Sequence, residues 1–171
     1  MINNKIDLLR LLTSCQIEYK LFEHPPIFTA EDAHNMQICE VIPGSHVKNL
    51  FLRNRKKSVY LLVTIKENKR VDLLDLEKKL NSERLSFASS HDLTNMLGIQ
   101  PGSVTPLAII NDKSNRIQLF FDADLLNEEY INIHPMENTA TISIKLSDLL
   151  LFIQQYYKNK IEFIEILDKN I

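Results

Sequence analysis

Only three glycines punctuate these 171 residues, at positions 44, 98 and 102, and two of them fall in a single stretch, GIQPGSVTP (98–106). That scarcity leaves no GxGxxG and no P-loop, so dinucleotide and nucleoside-triphosphate chemistry have no motif to rest on. A GxSxG elbow is absent as well, and Ser103 in PGSVTP lacks the strand-to-helix turn that sharpens a nucleophile. The two cysteines, Cys15 and Cys39, lie far apart, form no CxxC and have no histidine at zinc-ligand spacing. Buried, reduced thiols are expected. The five histidines make no HxH or HxxxH pair, which leaves metal chemistry without support. With 20 Lys and Arg against 22 Asp and Glu, the net charge of −2 excludes the broad positive field of a nonspecific nucleic-acid binder. Any polyanion site must be local. Apolar runs such as LLLFI (149–153) are far too short to span a bilayer, and MINNKIDLLRLL lacks the basic start and small-residue cleavage site of a secretory signal. A soluble cytoplasmic protein with no membrane segment is the expectation.

What is present is the ordinary substance of a globular domain, 44% hydrophobic and 25% charged. A single domain over residues 1–171 is expected, since a chain of about 150 residues hides roughly 70% of its unfolded surface. Asn4 and Asp7 mark a helix start, with Ile6, Leu9, Leu12 and Cys15 on one face. IEYKLFEH alternates as a strand and stops at Pro25-Pro26; Thr29 and Asp32 then frame a short helix, TAEDAHNM. VKNLFLR and SVYLLVTI read as a hairpin at or near the sheet centre. DLLDLEKKLN is a helix capped by Asp72, RLSFAS a strand, and SHDLTNML a helix capped by Ser90 and closed by Gly98. LAIIND and RIQLFFD are expected as a second hairpin around DKSN, INIHP and TATISI as strands, and SDLLLFIQQYYKNK as a helix capped by Ser147, leaving LDKNI frayed. Asp122 and Asp124 read as a helix cap after a strand. Turns join many of the strands, so the fold class is α+β, a mixed sheet flanked by helices.

Chemistry has few candidates. KNLFLRNRKK carries five basic residues, of which Arg53, Arg55, Lys56 and Lys57 cluster at the hairpin turn, where a solvated tip accounts for each one singly. Lys48 differs: it starts an apolar strand just after Pro43-Gly44, where it can point into a cleft or snorkel to water. His24 and His134 each precede a proline and so sit on extended backbone at strand ends. A lysine, an asparagine, a histidine and a stiff Gly/Pro loop could still hydrolyse an activated ester if backbone N–H groups polarise its carbonyl and the substrate supplies the base.

Five blocks, HPPIFTAEDA (24–33), PGSHVKNLFLR (43–53), RLSFAS (84–89), LGIQPGSVTPLAIIND (97–112) and NIHPMENTATISI (132–144), together resemble the YbaK/ProX family of aminoacyl-tRNA editing domains over nearly the whole chain. The likeness is greatest to its freestanding prolyl-tRNA editing branch. The resemblance implies a trans-editing hydrolase that cleaves alanine from mischarged proline tRNA without metal or cofactor. It implies that Lys48 is the indispensable residue, Asn49 a polar positioning residue, His134 a residue that lines the aminoacyl pocket or orients the terminal ribose, and Gly98, Pro101 and Gly102 a backbone loop against the ester and ribose. Ser103 belongs to that substrate loop, and Ile27, Phe28 and Val104 are the candidates for the wall that excludes bulk. Arg53, Arg55, Lys56 and Lys57 become candidates for acceptor-stem phosphates. Mischarged tRNA is the expected partner, with prolyl-tRNA synthetase a further one, and a monomer the default. Leu107 replaces an aromatic frequent in the family, and His46 stands where other small or polar residues occur. Two alternatives stay open: a deacylase for Cys-, Ser- or Thr-charged tRNA, and a noncatalytic tRNA- or synthetase-binding module.

Overall fold

In the computed structural model, which describes residues 1–27 and 38–169, Asn4 is extended and its side-chain oxygen accepts from the Asp7 N–H at 2.9 Å. This satisfies one orphan donor of α1 (Lys5–Ser14). Leu8 and Leu12, one turn apart, face the same way and are fully buried. No helix among the described residues is long and apolar enough to cross a membrane.

Behind α1 lies a mixed sheet whose strands, among the described residues, are β1 (Tyr19–Glu23), β2 (Ser45–Asn54), β3 (Tyr60–Lys66), β4 (Leu85–Phe87), β5 (Ile117–Asp122), β6 (Tyr130–Ile133), β7 (Ala140–Lys145) and β8 (Ile161–Ile164). Their lateral order is β1-β7-β6-β2-β3-β5-β8, with β4 also paired to β2. The hairpin β2–β3 is antiparallel, Lys48 lying opposite Ile65 and Asn49 opposite Thr64, while β3–β5 and β5–β8 are parallel. Tyr60 to Ile65 are buried at every position, as a central strand covered on both faces requires. Alternation on β2 sends Phe51 into the larger core and Leu50 and Leu52 into the smaller one on the opposite face. The larger core is covered by α1, by a 3-10 helix (Pro106–Asn111) and by α5 (Leu146–Tyr156). The smaller is covered by α3 (Leu73–Lys79) through Leu76. Also present are two short helices, α2 (Ile38–Val41) and α4 (Ser90–Asp92), the latter continuing as a π-helical turn, Leu93–Leu97, and a second 3-10 helix, Ala123–Asn127, capped by Asp122 as expected.

Several expectations are corrected. LAIIND is not a strand: Thr105 caps it, Pro106 takes the first helical position, and all six residues of Pro106–Asn111 are buried in the 3-10 helix. The short apolar run LAII has no period to distinguish the two. The cap of α4 is Ser89 rather than Ser90; its hydroxyl accepts from the Asp92 N–H at 3.1 Å while Asp92 accepts from the Ser89 N–H at 3.0 Å. Ser147 caps nothing, because α5 begins at Leu146, whose N–H is satisfied by the Glu129 carbonyl at 3.0 Å. That helix ends at Tyr156, and IEFI, expected in no element, is the parallel edge strand β8. Cys15 is half-buried, its Sγ 3.5 Å from the Tyr156 hydroxyl, rather than sealed in the core. The Thr29 helix lies outside the described residues, and so does the Cys39 side chain.

The C-terminal segment expected to fray is fastened as far as residue 169. The buried Lys69 ammonium lies 2.7 Å from Asp122, 2.6 Å from Asp124 and 2.8 Å from the Ile166 carbonyl. Asp122 is fully buried, and removing one partner from such a buried pair typically costs about 3–5 kcal/mol. Beyond it the Arg70 N–H donates to Asp168 at 3.0 Å and the Lys169 N–H to the Arg70 carbonyl at 3.1 Å. The tail thereby brings the Asp168 carboxylate within electrostatic reach of Lys48.

Candidate active site

The site begins with an interruption in the sheet. β2 pairs with β6 only at Ser45 and His46, and with β4 only from Leu52 to Asn54. Between those pairings residues 47–51 keep β3 on one side and, among the described residues, have no strand on the other. A cleft of about 390 Å³ opens there along Val47, Lys48, Asn49 and Phe51. His134, the residue after β6, also lines it, as do Pro101, Gly102 and Val104 of the glycine loop. Phe87, at the end of β4, lines it while 62% exposed.

Lys48 is half-buried. Desolvation pulls its ammonium below the ordinary lysine value, opposed by the carboxylates of Glu67 and Asp168, with Arg70 adding to the drop. The result is a poorly hydrated cation available to an anionic or polarised ligand group. His134 is fixed differently. Its Nδ1–H donates to the Ala140 carbonyl at 2.9 Å, which leaves Nε2 as the acceptor. Burial holds the ring below the usual imidazole value against the opposing pull of the Ala140 bond, and His24, whose ring centroid is 6.1 Å away, adds to the depression. A neutral imidazole at pH 7 follows.

Asn49 lines the cleft, but its amide is engaged at both ends. Nδ2 donates to the Val104 carbonyl at 3.0 Å, and Oδ1 accepts from the Thr64 hydroxyl at 2.7 Å. It ties the glycine loop to the central hairpin. The loop is turned by the Ser103 N–H to Gln100 carbonyl bond of 3.1 Å and by Gly102 at φ 87°. Gly98 has another task. At φ 70° it stops the π-helical turn, and a Cβ there would lie 2.8 Å from Met1 Sδ. Gly98 and the buried Ser103 line a separate depression with Met1 and Met136, not the cleft.

Of the other candidates, Ile27 lines the cleft and Phe28 lies outside the described residues. At the hairpin tip, Arg53 is half-buried 3.5 Å from Asp92, and Lys56 is paired with Glu83 at 2.7 Å. Arg55 and Lys57 are exposed. Sequence reasoning missed Glu67, Thr64 and Phe87. The first two follow from the hairpin register, which sets Thr64 opposite Asn49 and takes the Glu67 N–H to the His46 carbonyl at 3.0 Å.

A family model described as an aminoacyl-tRNA editing domain matches residues 24–152. The chain is 35% identical over 138 residues, 81% of its own length and 83% of the relative's, to the prolyl-tRNA editing protein ProX of Acetoanaerobium sticklandii. It is also 35% identical over 153 residues, 87% of this chain and 89% of the relative, to the prolyl-tRNA synthetase associated domain-containing protein 1 of Xenopus laevis. A solved structure of a proposed trans-editing enzyme for prolyl tRNA synthetase has the same fold, with a TM-score of 0.71, 15% identity, and coverage of 98% of this chain and 99% of that one.

Proposed function

The chain belongs to the aminoacyl-tRNA editing domain family, an aminoacyl-tRNA deacylase acting in trans on mischarged tRNA, and we propose that its substrate is alanine esterified to proline tRNA. The observation that carries this reading is one cleft holding a desolvated cation, Lys48, a neutral acceptor, His134 Nε2, and the Gly102 loop. Such a set suits an ester that brings its own leaving group and its own base.

In this reading Lys48 holds the phosphate and ester end of the terminal nucleotide by charge. The N–H groups of the Gly102 loop take the carbonyl oxygen as it gains negative charge. Water adds to the carbonyl carbon, assisted by the neighbouring 2′-hydroxyl; the bond to the 3′-oxygen then breaks and that oxygen takes the proton, releasing alanine and free tRNA. Phe87, exposed at the cleft, offers a ring on which the terminal base can stack, worth about 1–3 kcal/mol in comparable sites. Exclusion of larger residues falls to Ile27 and Val104, since contact with one methylene alone discriminates by only about 1–3 kcal/mol. Arg55 and Lys57 extend a basic edge toward acceptor-stem phosphates.

Single-turnover hydrolysis of tRNA charged with Ala, Cys, Ser, Thr or Pro tests the reading. Alanine should be released fastest and proline retained, and a 2′-deoxy terminal adenosine should abolish the gain. Preferential release of cysteine, serine or threonine would reassign the substrate. Intact esters throughout would make the protein a binding module.

A further inference from the structure

Beside the cleft lies a smaller space of about 40 Å³. It shares Ile27, Val47, Asn49, Glu67 and His134 with the cleft, and His46, Asn132, Ile133 and Thr141 also line it. One ordered water needs about 10–15 Å³ by the same kind of measure, so a small polar group fits.

Three of the side chains around this chamber present acceptor atoms. His134 Nε2 is an acceptor because Nδ1–H is given to Ala140. His24 donates Nδ1–H to the Pro25 carbonyl at 2.8 Å, so its Nε2 accepts from the Thr141 hydroxyl at 2.9 Å and the hydroxyl's lone pairs stay available. Asn132, only 3% exposed, donates Nδ2 to the Ile42 carbonyl at 3.4 Å, and the same nitrogen lies 3.0 Å from His46 Nε2, itself 3.2 Å from that carbonyl; its Oδ1 has no partner among the described residues. A buried acceptor left in that state is costly unless a ligand donor or water meets it. Glu67 adds negative charge, and among the described residues no lysine or arginine lines the space.

We propose that the chamber receives the α-ammonium group of the esterified amino acid, with Asn132 and Glu67 as positioning residues. This rests on the deacylase reading and deepens it. An ammonium brings three donors and no acceptor, and His134 Nε2, the Thr141 hydroxyl oxygen and Asn132 Oδ1 are acceptors for them. The consequence is selectivity by charge as well as size: free aminoacyl esters are accepted, whereas N-acylated and peptidyl esters, which lack the cation, are refused.

The test uses two non-hydrolysable analogues, 3′-alanylamino-3′-deoxyadenosine and its lactyl counterpart, in which a hydroxyl replaces the ammonium. By calorimetry at pH 6.5 the alanyl compound should bind the wild-type protein about tenfold more tightly or better, as a charge-assisted contact requires. In Asn132→Leu and in Glu67→Gln the preference should shrink severalfold while lactyl affinity is unchanged, which a merely unfolded variant would not show. Equal binding of the two compounds, a preference surviving both substitutions, or failure of the wild type to bind either would overturn the proposal. Deacylation of Ala-tRNA(Pro), measured alongside, reports separately on the proposed function: its absence with the alanyl preference retained would sink the activity and uphold the ammonium site.

Discussion

Thr64→Val removes one hydroxyl from a fully buried position that does not line the cleft, yet it should slow deacylation. Thr64 donates to Asn49 Oδ1 at 2.7 Å, and Asn49 in turn holds the Val104 carbonyl at 3.0 Å. Without the hydroxyl, the Asn49 oxygen is left half-buried and short of its donor. The lost bond and the stranded acceptor together should cost about 1–3 kcal/mol of stability. For a chain of this size that lowers the melting temperature by a few degrees, roughly 2–4 °C per kcal/mol. The larger effect belongs to function. An Asn49 free to turn releases the glycine loop, and a displacement of about 1 Å at a reacting centre can cost on the order of 100-fold in rate. Single-turnover kinetics should therefore show kcat reduced about 10- to 100-fold with KM little changed, and Thr64→Ser, which keeps the donor, should recover most of it. A Thr64→Val enzyme that melts a few degrees lower but deacylates at the wild-type rate would refute the clamp.

The acid limb of the rate should fall below the ordinary imidazole value of 6.5, because burial depresses His134. The sign also fixes stability: the unfolded chain takes up the proton first, so His134's contribution is complete above pH 6.5 and is lost as pH falls through the depressed folded value. A His134→Asn variant that kept an identical acid limb would assign that limb elsewhere. Gly102→Val, at φ 87°, should reduce deacylation at least about 100-fold with the fold retained, since a β-branched residue at positive φ must displace the loop. Gly98→Ala should do the reverse, lowering the melting temperature, because a side chain at φ 70° is strained, while sparing the rate; equal kinetic damage at both glycines would break the distinction. Phe87→Ala should raise KM about 5- to 100-fold independently of salt. Arg55→Ser and Lys57→Ser should each reduce the salt dependence of tRNA binding by about one charge, and the Glu83-paired Lys56→Ser by less.

Local signals made much of this architecture legible. Asn4, Asp72 and Gly98 do at their helix ends what their chemistry dictates, and the hairpin of KNLFLR with VYLLVTI is central because YLLVTI is buried at every position and Leu50, Phe51 and Leu52 feed both cores. What remained hidden depends on partners distant in sequence. LAIIND is helical because Thr105 and Pro106 start it, and IEFI becomes a strand only because β5 offers it a parallel edge. In the site, Lys48, Asn49, His134 and Gly102 stand out from their own segments. Glu67 and Asp168 do not, since one depends on hairpin register and the other on the tail that Lys69 fastens beside Arg70.

The most direct measurement of the central claim is the single-turnover release of alanine from Ala-tRNA(Pro) by the wild-type protein and by Lys48→Ala, each first shown by its melting curve to be folded. Rapid release by the wild type and loss of at least about 100-fold in the variant, the range expected when a principal charge contact to the transition state is removed, is the predicted result. Release at comparable rates by the two proteins would contradict it.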